Sequence, residues 1–179
     1  MPLNGYRSLC TQHQPIIVSK EQGRVHRANN PQGRSKVSHY RIDGYVIQGG
    51  TIRCDFLLMN DDSADAYLIE LKGSDIEHGL EQLEATALYL QAELNGYRVK
   101  YRLIHSRAKT QAINGIKFKK FCRRHAQKGE FLHQEGQLIE TIPAECTAGG
   151  WRYAHYLPGA GAGELGPAPA QSQFSKAAV

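Results

Sequence analysis

Two periodicities organise the middle of this chain. Between residues 37 and 72, apolar positions alternate or cluster in short blocks separated by turn residues, the signature of strands. Residues 37–48, rich in Val, Ile and Tyr, predict a first strand. Gly49 and Gly50 tolerate positive φ and predict a hairpin turn, with residues 51–60 as the returning strand. Asn60, Asp61, Asp62 and Ser63 form a second turn cluster, and residues 66–72 predict a third strand. The expectation is an antiparallel meander.

After Gly73 the period lengthens. Ser74 and Glu77 have the spacing of a capping box. Ile76, Leu80, Leu83, Ala87, Leu90 and Leu94 recur at steps of three and four. That spacing predicts an amphipathic helix of roughly 20 residues, stopped at Gly96. Residues 97–105 return to strand, with Val99, Tyr101 and Leu103 on one face and Arg and Lys residues on the other. A second helix over 116–128 would turn Ile116, Phe118, Phe121, Cys122 and His125 inward, and residues 131–142 predict another strand or hairpin. The order β-β-β-α-β-α describes an α/β fold with a mixed sheet flanked by helices, the long helix crossing between parallel neighbours.

The ends are less patterned. Residues 1–36 offer only a short apolar run, Ile16, Ile17 and Val18, and loop chemistry around Asn29, Asn30 and Pro31. Residues 158–179 carry Gly-Ala and Pro-Ala repeats and are expected to be a disordered tail. Residues 1–157 are expected to form one domain, with its core in 37–106 and a basic helical region in 107–129.

Composition narrows the class. With 179 residues, 41% of them hydrophobic, the chain can bury a core. No apolar run approaches the roughly 18–20 residues of a membrane span, and the N-terminus lacks the apolar stretch of a signal peptide. The expected location is the cytoplasm. Cys10, Cys54, Cys122 and Cys146 are too widely spaced for the paired ligands of a structural zinc site.

Charge changes the picture more. Residues 43–93 hold eleven acids and two bases, whereas residues 94–129 hold eleven bases and no acid. The latter are Arg98, Lys100, Arg102, Arg107, Lys109, Lys117, Lys119, Lys120, Arg123, Arg124 and Lys128. An acidic middle beside a basic stretch suits a metal site next to a polyanion-binding surface; the plainer reading is a solvated basic face.

Three residues in the acidic middle could carry chemistry. Asp55 lies inside the second predicted strand with apolar residues, Cys54 and Phe56, on both flanks. Glu70 and Lys72 close the third strand and share a face, about 7 Å apart along the backbone. A pairing of these strands would bring Asp55 to them. Two carboxylates make a hard-oxygen site of the kind Mg²⁺ prefers, and a neighbouring lysine can orient water or stabilise a developing phosphorane. Chance supplies about one acid-x-Lys match in a chain of this composition, so placement carries the weight. The competing reading is an ion pair at a strand end.

The arrangement resembles the PD-(D/E)XK nuclease superfamily of restriction-endonuclease-like and Holliday-junction-resolvase-like enzymes. Asp55 corresponds to its first acid and Glu70, Leu71 and Lys72 to its second element, fourteen residues of hairpin lying between the acids. Cys54 stands where the signature has proline. The resemblance implies the family core, β-β-β-α-β after an N-terminal helix that residues 1–36 do not display. It implies Mg²⁺, replaceable by Mn²⁺, bound by Asp55, Glu70, the Leu71 carbonyl and an N-terminal acid, for which Glu21 is the candidate. It suggests Gln82 as a polar helper. The implied partner is duplex or branched DNA, gripped by Arg98, Lys100, Arg102, Arg107, Lys109, Lys117, Lys119, Lys120, Arg123 and Arg124. Many members form homodimers, and many serve phages or prokaryotic defence.

Eight histidines offer no H-E-x-x-H pattern, and His133 has no C-x-x-C to complete a deaminase-type site. Three functions are therefore weighed. The first is a Mg²⁺-dependent endodeoxyribonuclease. The second is a non-catalytic nucleic-acid-binding module of the same fold. The third is a phage or mobile-element accessory protein acting through protein partners.

Overall fold

Strand β5 (Asp65–Lys72) is the axis of the molecule, and seven of its eight residues are buried. Its sequence, DAYLIELK, is almost continuously apolar because both faces are covered. In the computed structural model, which describes residues 3–106, 110–125, 127 and 129–144, β5 is central in a mixed five-stranded sheet. The order is β3 (Val37–Arg41), β4 (Phe56–Asn60), β5, β6 (Arg98–His105), β7 (Phe131–Glu135). The first three strands are antiparallel, whereas β6 and β7 run parallel to β5. A second mixed sheet contains β1 (Ile16–Glu21), β2 (Arg24–Asn29) and β8 (Gln137–Thr141). Three α-helices complete the described fold: α1 (Ile76–Tyr89), the single turn α2 (Thr110–Ile113) and α3 (Ile116–Arg124). The chain is thus α/β, and among the described residues no helix is long and apolar enough to cross a membrane.

Two apolar cores follow from the alternation of side chains along the strands. Leu68, Tyr101 and Leu103 meet Ile76, Leu80 and Leu83 of α1 and Phe118 and Phe121 of α3. On the opposite face, Leu58, Tyr67, Ile69 and Ile104 meet Ile17 and Ala28 of the smaller sheet. A fully buried Leu or Ile in either core contributes about 1.5–3 kcal/mol. The second core also contains polar pins. Arg102, 1% exposed, forms a two-pronged pair with Glu140 at 2.6 and 2.8 Å, and His26 Nε2 donates to the same carboxylate at 2.8 Å. Ser19 Oγ lies 2.9 Å from His39 Nε2, and burial, reinforced by the nearby His26, holds His39 down at about 4.

Several sequence expectations need correction. The first strand ends at Arg41, not near Gln48, because the Ile42 carbonyl accepts from the N–H groups of Tyr45, Val46 and Ile47. Ile42 and Ile47 then enter the core, so residues 42–55 form a loop in place of a Gly-Gly hairpin. Strand β4 consequently starts at Phe56, and Asp55 sits at its threshold, not inside it. Helix α1 is capped by Asp75, whose carboxylate accepts from His78 N–H at 3.1 Å, and not by Ser74. It spans 14 residues, after which Leu90 and Leu94 stay buried in the following turns. Ile116 is exposed at the start of α3.

Residues 131–142 form two strands but no hairpin. Gly136, at φ 73°, lets the chain leave the larger sheet after β7 and enter the smaller one as β8, parallel to β2. The N-terminal region contains no α-helix among its described residues; it supplies the β1–β2 hairpin. Gln22 and Gly23, at φ 43° and 82°, make its two-residue turn. The predicted tail, residues 158–179, lies outside the described residues.

Candidate active site

Asp55 and β5 meet where β4 begins. Asp55 Oδ2 accepts from the Leu71 N–H at 2.7 Å. This bond extends the β4–β5 ladder by one side chain, since Phe56 already pairs with Ile69. Glu70 and Lys72 project from β5 toward α1, on the face that Leu68 shares. Lys72 Nζ lies 3.8 Å from Glu70 Oε1 and donates to Gln82 Oε1 of α1 at 2.5 Å. Asp55, Glu70, Lys72 and Gln82 are therefore gathered at one end of the sheet.

Gln82 does more than touch the lysine. Its Nε2 donates to the Arg53 carbonyl at 2.7 Å, so its amide bridges Lys72 to the backbone just before Asp55. One turn on, Thr86 Oγ1 accepts from the Cys54 N–H at 2.7 Å and donates to the Gln82 carbonyl at 2.8 Å. Gly79 precedes them on the same helical stripe. A Cβ there would lie 2.8 Å from Leu103 Cδ1 and 3.3 Å from Lys72 Cγ. Glycine leaves room here for α1 to lie against Lys72 and Leu103; an alanine would push the Leu103 side chain aside.

The carboxylates are held under electrostatic tension. Glu70 is 2% exposed, and its Oε2 is buried without a hydrogen-bond partner among the described residues. Burial and the charge of Asp55 raise Glu70 to about 9, with Lys72 opposing and Glu21 adding to the rise. Asp55 rises to about 6. Burial is the main cause, the Leu71 N–H opposes it, and the charges of Glu21 and Asp43 reinforce it. Glu21 at the end of β1 is therefore close enough to act on both acids. Asp43 is itself paired with Arg53 at 2.6 Å.

These donors fit a divalent cation of the hard type. Such an ion needs only one or two carboxylates, with waters and substrate oxygens completing its shell. An orphaned carboxylate oxygen beside a second strained acid is a place where a positive charge would relieve the desolvation cost. Among the described residues, however, no three His, Cys, Asp or Glu side chains are gathered as a ready-made cage. The Leu71 carbonyl, expected as a further ligand, accepts from Arg24 Nε at 3.0 Å. It retains a second lone pair.

The basic residues are distributed unlike the sequence expectation. Arg102 is interior and bonded to Glu140, so it is unavailable to a phosphate. Arg98 and Lys100 both turn to the buried Asp65 at 2.9 Å. Lys117 pairs with Glu77 and Glu81, and Arg124 with Glu84. Lys119, Lys120 and Arg123 are exposed on α3. Arg107 and Lys109 lie outside the described residues.

Sequence reasoning missed Thr86, Arg53 and Arg24. The first left a signal. Gly79, Gln82 and Thr86, at steps of three and four, trace a small and polar stripe beside the apolar one on α1. The other two left none, because their roles depend on a loop and a hairpin that the pattern did not show. No protein-family model matches this chain, and no curated protein or solved structure matches it.

Proposed function

We propose that this chain is a Mg²⁺-dependent endonuclease acting on DNA. The observation that carries this reading is the convergence of Asp55, Glu70 and Lys72 at one sheet end, with Glu70 Oε2 buried and unpartnered among the described residues. Asp55 and Glu70 would hold the ion, with the Leu71 carbonyl and Glu21 as further oxygen donors. An ion held there would supply Lewis-acid polarisation of the scissile phosphate and a more acidic water, from Mg²⁺ or from Mn²⁺ in its place. Lys72 orients the attacking water and offsets charge developing on the phosphate. Gln82 fixes the lysine, through its bond to Nζ and its anchor on the Arg53 carbonyl.

Supercoiled plasmid is the direct substrate for a test. Wild-type protein should nick or linearise it with Mg²⁺ or Mn²⁺ and leave it intact in EDTA. Lys72→Ala should slow cleavage by about 10²–10³-fold, the usual cost of removing a transition-state charge partner. Equal cleavage by wild type and Lys72→Ala would remove the assignment.

A second reading, a DNA-binding module that does not cut, is favoured by one observation. Lys119, Lys120 and Arg123 stand exposed on a single helix. Three phosphate contacts would make log K fall with log[salt] at a slope of about −3. A gel shift with that salt dependence, and no cleavage at any metal concentration, would select this reading. Duplex and branched substrates compared side by side would define the preferred DNA.

A further inference from the structure

We infer that Arg24 is the positioning residue of the cation site, fastening the β1–β2 hairpin, and Glu21 with it, to the end of β5. The inference rests on reading that site as a divalent-cation site.

Glu21 and Arg24 are directly paired across the hairpin turn. Opposite residues of an antiparallel pair point to the same face. Here that face is the inner one, where Ile17, Ser19, His26 and Ala28 are buried against the larger sheet. Arg24 is itself 8% exposed, which is unusual for an arginine on a hairpin end. Its burial is explained by three bonds in three directions. Nε donates to the Leu71 carbonyl at 3.0 Å, Nη1 to Ser106 Oγ at 3.1 Å, and Nη2 to Gln22 Oε1 at 3.0 Å. One planar fork thus joins the hairpin turn, the end of β5 and the residue after β6.

The joint matters because its ends are the site. The Leu71 N–H is held by Asp55 and its carbonyl by Arg24, so this peptide unit is fixed from both sides. Ser106 N–H in turn donates to the carbonyls of Lys72 and Gly73 at 3.1 and 3.2 Å. Glu21, paired with Arg24 across the hairpin, is carried to the same end of β5 by this joint. A lysine could satisfy one of the three acceptors, but not all of them in one plane.

Charge and position predict opposite signs, which makes the inference testable. Arg24 is a cation beside a cation site, so its removal on charge grounds alone would tighten metal binding. Loss of positioning would weaken it. Mn²⁺ binding is measured by electron paramagnetic resonance on folded wild type, Arg24→Gln, Arg24→Lys, Ser106→Ala and Glu21→Gln, with urea melts run alongside. Arg24→Gln should weaken Mn²⁺ binding by about 10–100-fold, the range for groups that orient ligands. Arg24→Lys should recover only part of this, and Ser106→Ala should weaken binding several-fold. In a Glu21→Gln background, Arg24→Gln should cost less than it does alone, because only its hold on the Leu71 peptide is left to lose. Unchanged or tighter Mn²⁺ binding by folded Arg24→Gln, or a full additive loss on top of Glu21→Gln, would overturn the inference. If Arg24→Gln fails to fold, Ser106→Ala and Arg24→Lys decide: both binding Mn²⁺ like wild type would overturn it. Wild type failing to bind Mn²⁺ would overturn the cation site itself, and this inference with it.

Discussion

Replacing Glu140 by glutamine should cost about 3 kcal/mol at neutral pH, and that cost should shrink in acid. Glu140 projects from β8 into the space between the sheets, where Arg102 grips both its oxygens and His26 donates to one. Burial pushes its carboxyl up, but the bonds from His26 and Arg102 and the Arg102 charge more than offset this, holding it at about 2. Against the ordinary carboxylate value of 4.5, that shift is worth about 3 kcal/mol. The side chain is 14% exposed, so solvent screening removes only a small part. The sign follows from the depressed value. The stabilisation is complete well above pH 4.5 and is lost as pH falls toward 2, about 2 kcal/mol of it by pH 3. The amide that Glu140→Gln introduces cannot titrate, and at pH 7 it would leave the Arg102 charge buried without this counter-ion. Urea unfolding of both proteins at pH 7, 5, 4 and 3 reads the difference directly. A difference that stays flat with pH, or falls below about 1 kcal/mol at pH 7, would refute the reasoning. The consequence reaches the candidate site, because β8 pairs with β2, the strand that carries Arg24.

Other perturbations test other parts of the structure. Gly79→Ala should destabilise by about 1–3 kcal/mol in urea, although Gly→Ala in a helix is ordinarily favourable, because the new Cβ meets Leu103 and Lys72. Asp65→Asn should cost about 1–2 kcal/mol by the same measurement, since it weakens the charge-assisted bonds from Arg98 and Lys100 but leaves cations that solvent can reach. Cys54 is fully buried and its thiol is pushed up by burial and by the charge of Glu70. It should resist iodoacetamide until the protein unfolds, whereas the partly exposed Cys10 and Cys122 should label first.

What the sequence disclosed depended on which side chains faced each core. Strands β4, β5 and β6 were legible because Leu57, Leu58, Leu68, Ile69, Leu103 and Ile104 fill both faces. Helix α1 was legible from its apolar period, although its cap shifted from Ser74 to Asp75 and its last turns unwound. Strands β1 and β2 were hidden because their inward positions include Ser19, Arg24 and His26, which read as surface residues. Their burial is satisfied by His39, Leu71 and Glu140, partners 20 to 114 residues away. The basic stretch misled for the same reason. Arg98, Lys100 and Arg102 lie in an acid-free segment of sequence, yet Asp65 and Glu140 neutralise them in space. That Glu70 and Lys72 share a face was legible from strand alternation, whereas Thr86 and Arg24 act through tertiary contacts that periodicity does not encode.

A crystal structure grown with Mn²⁺, with anomalous scattering recorded at the manganese edge, addresses the central claim most directly. The expected result is a peak touching the carboxylates of both Asp55 and Glu70, with Lys72 still held by Gln82. Absence of a peak there, at Mn²⁺ concentrations that support plasmid cleavage, would contradict it.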